Sequence, residues 1–345
     1  MKRFLVLLTL MVTAFAMPEV LRAQIVLDYT GDTYFSANPI AQAALEAAAA
    51  DINAVIDFSQ LTEISNDGDR IVGTDGGNQA IFNFSQLYSN PADGVETTVP
   101  FTQIAAGQVN IFAGARTFSG DTLGQGGPAG SGVTASGSTS SNGSFPQAVA
   151  NAEANEQQRR GGGPIIGTLA DTFNGTDYSF ELGLHTGSIV FDDDADWHFD
   201  HTTMVEAGRN DFYSVALHEL LHAVSFGVSE TWDSLVAANG TDYLGAEGIA
   251  ANGGTGVDLL FSGGGHLAEN VMSIRLSDGG VQEVVMDPNL TIGTRKTLTE
   301  LDVAVLRDLG FVTTVSAIPE PSSLVILLTA GGMIAFRRRR SSLAA

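Results

Sequence analysis

Leu217-His218-Glu219-Leu220-Leu221-His222 writes H-E-x-x-H inside a stretch that reads as a helix, and no other part of the chain restricts its fold so tightly. Residues four apart share a helix face, so His218 and His222 can bind one metal ion together. Glu219 follows the first ligand and can reach a metal-activated water, which makes it the natural general base. The flanks favour the helix. Asn210 or Asp211 can cap its start, Phe212, Val215, Ala216, Leu217, Leu220, Leu221 and Val224 give it an apolar body, and Gly227 offers a left-handed stop.

Composition narrows the chemistry. With no cysteine, disulfides and thiolate zinc sites are both excluded, so any metal must be held by histidine and carboxylate. The formal charge is −23, and Lys2, Arg3, Arg22 and Arg337–Arg340 supply seven of the 16 basic residues, so the interior is more acidic still. Such a charge argues against nucleic acid as a partner and for cation binding.

Outside the motif the chain divides by pattern. Residues 1–23 read as a secretory signal: Lys2 and Arg3, then the apolar run Phe4–Ala16 ending in Ala14-Phe15-Ala16. Residues 24–118 read as the first part of a catalytic domain. It holds a strand near Ile25–Tyr29, an alanine-rich helix over Pro39–Ile56 and strands within Thr97–Phe118. Residues 119–144 are Gly, Ser and Thr with few large apolar side chains, which predicts a flexible insertion. Residues 145–315 complete the domain, with a short helix expected over Phe145–Arg159, a strand over Gly187–Phe191 and a closing helix over Thr297–Leu309. At the far end, Pro319-Glu320-Pro321 precedes the apolar run Leu324–Phe336 and the basic Arg337–Arg340.

That last order resembles the PEP-CTERM sorting signal of Gram-negative bacteria and covers residues 318–340. The resemblance implies recognition by an exosortase-type membrane enzyme, transient membrane anchoring by the tail, and delivery to the cell surface or extracellular matrix.

The expected strand runs into Asp192-Asp193-Asp194-Ala195-Asp196-Trp197, and the histidine helix follows. Phe191, Asp192, Asp194 and Trp197 match the F-D-x-D-x-x-W spacing of the matrixins, so this region resembles the matrixin branch of the metzincin peptidases. In that branch the strand lines the substrate cleft. The resemblance implies calcium at Asp192 and Asp194, and hard oxygen ligands suit that ion. The family has a zinc-binding histidine where Val190 stands and an acidic residue where Ala195 stands.

A hydrolytic zinc site has three protein ligands and one open position. The metzincin signature H-E-x-x-H-x-x-G-x-x-H is broken here by Ser225 and Val228. His185, His198, His201 and His266 are the remaining histidines. His266 follows Gly263-Gly264-Gly265, Met286 lies in Val285-Met286-Asp287-Pro288, and Leu298-Thr299 precedes Asp308-Leu309-Gly310-Phe311. This order resembles the leishmanolysin branch of the metzincins. There a long insertion precedes the third histidine, and a Met-turn and a terminal helix follow. The resemblance implies His218, His222 and His266 as zinc ligands, Glu219 as general base, Met286 as the Met-turn, and an α+β, metzincin-like zincin fold. In that fold a twisted mixed sheet and the active-site helix stand above an irregular C-terminal lobe. Met272 is the other methionine available for the turn. A gluzincin arrangement with Glu247 as third ligand is the rival.

Two functions remain open at this level. One is a secreted or surface-sorted zinc endopeptidase that holds an extended polypeptide along Gly187–Phe191. The other is a non-catalytic surface or matrix protein that retains a structural metal site. A third idea makes Gln24–Phe118 a pro-segment blocking the cleft.

Overall fold

The computed structural model describes residues 24–64, 70–75, 78–100, 103–137, 160–173, 176–260 and 264–315. The signal segment 1–23, the expected helix 145–159 and the sorting segment 318–340 lie outside them. Among the described residues no helix is long and apolar enough to cross a membrane.

The longer elements are β1 (Gln24–Asp28), α1 (Pro39–Val55), β2 (Arg70–Asp75), β3 (Asn78–Ser89), β4 (Glu96–Pro100), β5 (Gln108–Arg116), β6 (Gly124–Pro128), β7 (Gly130–Gly137), β8 (Ile165–Phe173), β9 (Thr176–Gly183), β10 (Thr186–Asp192), α2 (Phe212–Ala223) and α3 (Glu300–Asp308). The class is α+β. A four-stranded mixed sheet has the order β1-β5-β10-β6, parallel except for the antiparallel β6 at one edge. A second, antiparallel sheet joins β2, β4 and β7 to the long β3. The hairpin β8–β9 adds Phe180, whose ring meets Phe82 and Phe84 at 4.9 and 5.5 Å.

Helical spacing of apolar residues places α1. Ala41, Ala44, Leu45, Ala48, Ala49, Ile52 and Val55 form its buried stripe, and Pro39 opens it with its fixed φ. Small alanines on that stripe let α1 pack against α2 in the same layer. β10 is buried on both faces, as a central parallel strand should be. The core runs from this sheet through Phe35, Phe191, Trp197 and Phe212, whose rings touch edge to face or tilted, to Val284, Met286 and the inner face of α3. Residues 24–118 are therefore structural in part: β1, α1 and β5 build the layer that carries the histidine helix.

Two expectations are corrected. Residues 124–137, expected as part of a flexible insertion, form β6 and β7, and the chain passes from the first sheet to the second at Ala129, whose N–H donates to Thr186 O at 2.6 Å. Composition concealed this because β6 needs almost no side chains. A Cβ at Gly126 would lie 2.3 Å from the Glu219 carbonyl oxygen, so only glycine lets this strand lie against α2. The strand at residues 187–191 cannot receive an extended substrate, because β5 and β6 occupy both of its edges. Among the described residues the unpaired edges of the first sheet are those of β1 and β6, and β6 is the one packed against α2.

Beyond α2 the regular elements are short: Glu230–Ser234, Ala246–Ala251, the pairs 242–243 with 257–258 and 272–274 with 281–283, and α3. Helix α3 starts at a capping box in which Thr299 and Asp302 satisfy each other's backbone N–H groups.

Candidate metal centre

Helix α2 is fixed at its start. Asp211 caps it, accepting from Ser214 N at 3.2 Å and Ser214 Oγ at 2.6 Å. The same carboxylate, fully buried, is forked by Arg295, with Nη2 at 2.6 Å. Arg295 spends its other donors on the carbonyls of Asp200, His201 and Thr203, so one guanidinium ties the acidic loop to the helix cap. On the helix every residue but His218 is buried, and His218 is half-buried and lines a cavity.

The three histidines converge. His266 Nε2 lies 3.0 Å from His222 Nε2 and 3.1 Å from His218 Nε2. The Nδ1 atoms of the two helix histidines face carbonyl oxygens: Val285 O for His218 and Phe226 O for His222, each at 2.8 Å. A carbonyl can only accept, so each Nδ1 carries the proton and each Nε2 offers a lone pair. His266 Nε2 can supply at most one proton to two facing lone pairs. A cation between the three rings removes that conflict. Tetrahedral ligands at the usual zinc–nitrogen distance stand roughly 3.3 Å apart, close to the separations here. Burial holds all three rings below the ordinary histidine range, His222 at about 4, so they are neutral and able to ligate. The charge of neighbouring rings adds to the effect at His218 and His222, while Asp287 partly offsets it at His266.

The third ring comes back to the helix through a sharp turn. The H-E-x-x-H-x-x-G-x-x-H order has glycine where Ser225 stands, and the backbone at Ser225 has φ 92°, a left-handed conformation. Gly227 follows at φ 76°, and a Cβ on it would sit 1.9 Å from Gly265 O, so the glycine run before His266 can lie directly on it. Trp232 holds the same run by donating Nε1–H to Gly264 O at 2.6 Å. Residues 229–264 form an excursion between two points that touch. That return brings His266, the third ring expected from the sequence, to the helix histidines although Val228 stands at the position three residues after Ser225.

Met286 is fully buried, and its carbonyl accepts at 3.1 Å from the N–H of Leu267, the residue after His266. Met272 is 51% exposed on the hairpin 272–283, which separates the two methionines. Asp302 reaches the same turn, accepting from Val285 N at 3.1 Å, so the capping box of α3 also holds the backbone that receives His218.

Glu219 faces a cavity of about 740 Å³ shared with His218 and His266. It is 6% exposed, and burial pushes its carboxyl up to about 8. A Cβ on Gly124 would lie 2.9 Å from its side chain. The acid and the edge strand are therefore in contact.

Other candidates fall elsewhere. Glu247 opens a short helix, approaches Arg307 at 3.9 Å and does not join the three rings. Carboxylate oxygens of Asp192, Asp193 and Asp194 lie within 4.8 Å of one another. Asp192 also accepts from Phe118 N at 3.1 Å, and its charge and hydrogen bond push Asp194 up. Trp197 anchors this loop by donating to Asp192 O at 2.7 Å. His198 bonds Asp200 O at 2.9 Å within the loop, and His185 bonds Ser131 Oγ at 2.9 Å in the interior.

The sequence reading missed Gly124, Gly126, Asp287, Arg295, Lys296 and Asp302 as parts of this region. Only Asp302 left a readable signal, the T-x-x-D box at Thr299. No family model matches the sequence, and neither a curated protein nor a solved structure is significantly similar to it.

Proposed function

We propose that this chain is an exported, zinc-dependent endopeptidase of metzincin type. One observation carries the reading: three neutral imidazoles meet at 3.0–3.1 Å beside a buried glutamate that faces an open cavity. Among the described residues no fourth His, Cys, Asp or Glu joins the three rings. That favours a hydrolytic site over a structural zinc site, which is normally closed by four protein ligands.

His218, His222 and His266 would hold the ion, and zinc would supply the Lewis acidity that activates water near neutral pH and polarises a carbonyl. The nearby dication would favour the carboxylate form of Glu219 against its burial, and in that form Glu219 takes the proton from the attacking water and passes it to the departing amine. Its burial keeps solvent from competing for that proton. The free edge of β6 offers backbone N–H and C=O groups to an extended polypeptide, and Gly124 at its start lies next to Glu219. Asp192 and Asp194, together with Asp193, would supply part of a calcium shell, three oxygens of the six to eight that calcium takes.

The signal segment 1–23 and the PEP-CTERM segment 318–340 support export to the surface or matrix of a Gram-negative bacterium, with an exosortase-type enzyme as sorting partner and transient membrane anchoring by the tail. Glu219→Gln tests the core of the proposal. The variant retains its metal and loses at least ~10²-fold in peptide hydrolysis. Unchanged hydrolysis rejects Glu219 as the base, and a metal-loaded wild type that cuts no peptide favours the structural-site reading.

A further inference from the structure

Apart from the dication that the three rings would hold, the side chains lining the cavity have a one-sided charge. Asp121, Asp192, Asp196 and Asp287 line it, and Lys296 is its single Lys or Arg. That ammonium is already committed: Nζ lies 3.0 Å from Asn289 O, 3.3 Å from Glu283 Oε2 and 3.6 Å from Asp287 Oδ1. Two carboxylates share this one cation, so their corner stays negative. Arg209 pairs with Asp196 at 2.8 Å on the rim, and a calcium ion would take up the charge of Asp192, which leaves Asp121 adding to the excess.

Asp287 is the carboxylate best placed to act on a ligand. It directly follows Met286 and is 4% exposed while still lining the cavity. Its position is fixed by an Asx turn in which Oδ1 accepts Asn289 N–H at 2.8 Å. A carboxylate so placed in a partly enclosed wall is screened less than one on the open surface. An acidic side chain entering there meets like charge, whereas a guanidinium or ammonium meets an acceptor that Lys296 satisfies only in part. The −23 charge of the whole chain draws the same ligands from a distance.

We propose that the cleft selects polypeptides carrying arginine or lysine next to the scissile bond, with Asp287 receiving the cationic side chain. The inference rests on the endopeptidase reading above and adds its substrate class.

The test uses three fluorescent peptides of one length and sequence, differing only in Arg, Gln or Glu on both sides of the central bond. Affinity is measured by anisotropy on zinc-loaded Glu219→Gln protein, and hydrolysis on wild type. The Arg peptide binds about tenfold more tightly than the Gln peptide, the Glu peptide binds most weakly, and the spread narrows as salt shortens the screening length. Asp287→Asn, which keeps the Asx turn, removes most of the Arg advantage, and Asp121→Asn on the exposed rim removes a smaller part. Equal affinity for the three peptides, a preference for Glu, or an Arg advantage that survives both substitutions overturns the inference. Wild type cutting all three at equal rates overturns it too, and leaves the endopeptidase reading standing. Binding in the expected order without any hydrolysis upholds charge selection and removes the endopeptidase reading instead.

Discussion

At the scale of single residues, Ser225 shows what the turn after the second histidine costs. A left-handed φ is strained for a residue with a Cβ, and this serine is fully buried with no hydrogen-bond partner for its Oγ. Ser225→Gly removes both penalties and should raise stability by roughly 1 kcal/mol, read as a higher denaturation midpoint with unchanged metal content. A lower midpoint would show that the hydroxyl is satisfied after all. His185 makes a second prediction. Burial, helped by the charge of Arg160, lowers its pKa from 6.5 to about 3. The unfolded chain then takes up a proton below about pH 6.5 that the folded chain refuses until about pH 3. Stability from this group is complete above pH 6.5 and is lost as pH falls through that window, by at most ~1.4 kcal/mol per pH unit. His185→Gln should flatten the acid limb of a stability-versus-pH curve measured with chelator present. An unaltered slope would assign the acid sensitivity to other groups.

At the scale of elements, the site depends on how closely β6 lies on α2. Gly126→Ala places a methyl against the Glu219 backbone, so strand or helix must shift, at a cost of ~1–3 kcal/mol or more. Hydrolysis should fall while metal stays bound, since the histidines are held from the other side through Val285 and Phe226. Full activity in that variant would mean that the strand is not part of the cleft. Arg160 ties other elements together. Its guanidinium donates to the carbonyls of Thr62, Ala105, Gln108 and Leu184, with no carboxylate among these partners. Arg160→Lys leaves several of these acceptors unmatched and should destabilise by ~2 kcal/mol or more in denaturant unfolding. A change under half that size would show that water replaces the fork. These contacts also explain what the chain disclosed in advance. The helices α1, α2 and α3, the strand β10 and the three histidines were legible because local periodicity, caps and motif order mark them. β6 and β7 were hidden because their place is set by backbone pairing and by the absence of side chains. The roles of Asp287, Lys296 and Arg295 were hidden because their partners are distant in sequence or gain meaning only around a cavity.

At the scale of the whole molecule, two parts of the chain far apart in sequence meet at one point. The layer built by β1, α1, β5 and β10 fixes α2, and the short elements after it return His266 and the Met286 turn to the same place. A bound ion would therefore staple residues 218–222 to 266–286, and its removal should loosen the contact between them. Metal analysis of purified protein, wild type beside His266→Ala, tests that convergence most directly. Wild type should carry one zinc per chain and the variant little or none, with a lowered melting temperature on chelation that added zinc restores. A wild-type chain that binds no metal, or a His266→Ala chain that binds it undiminished, would contradict it.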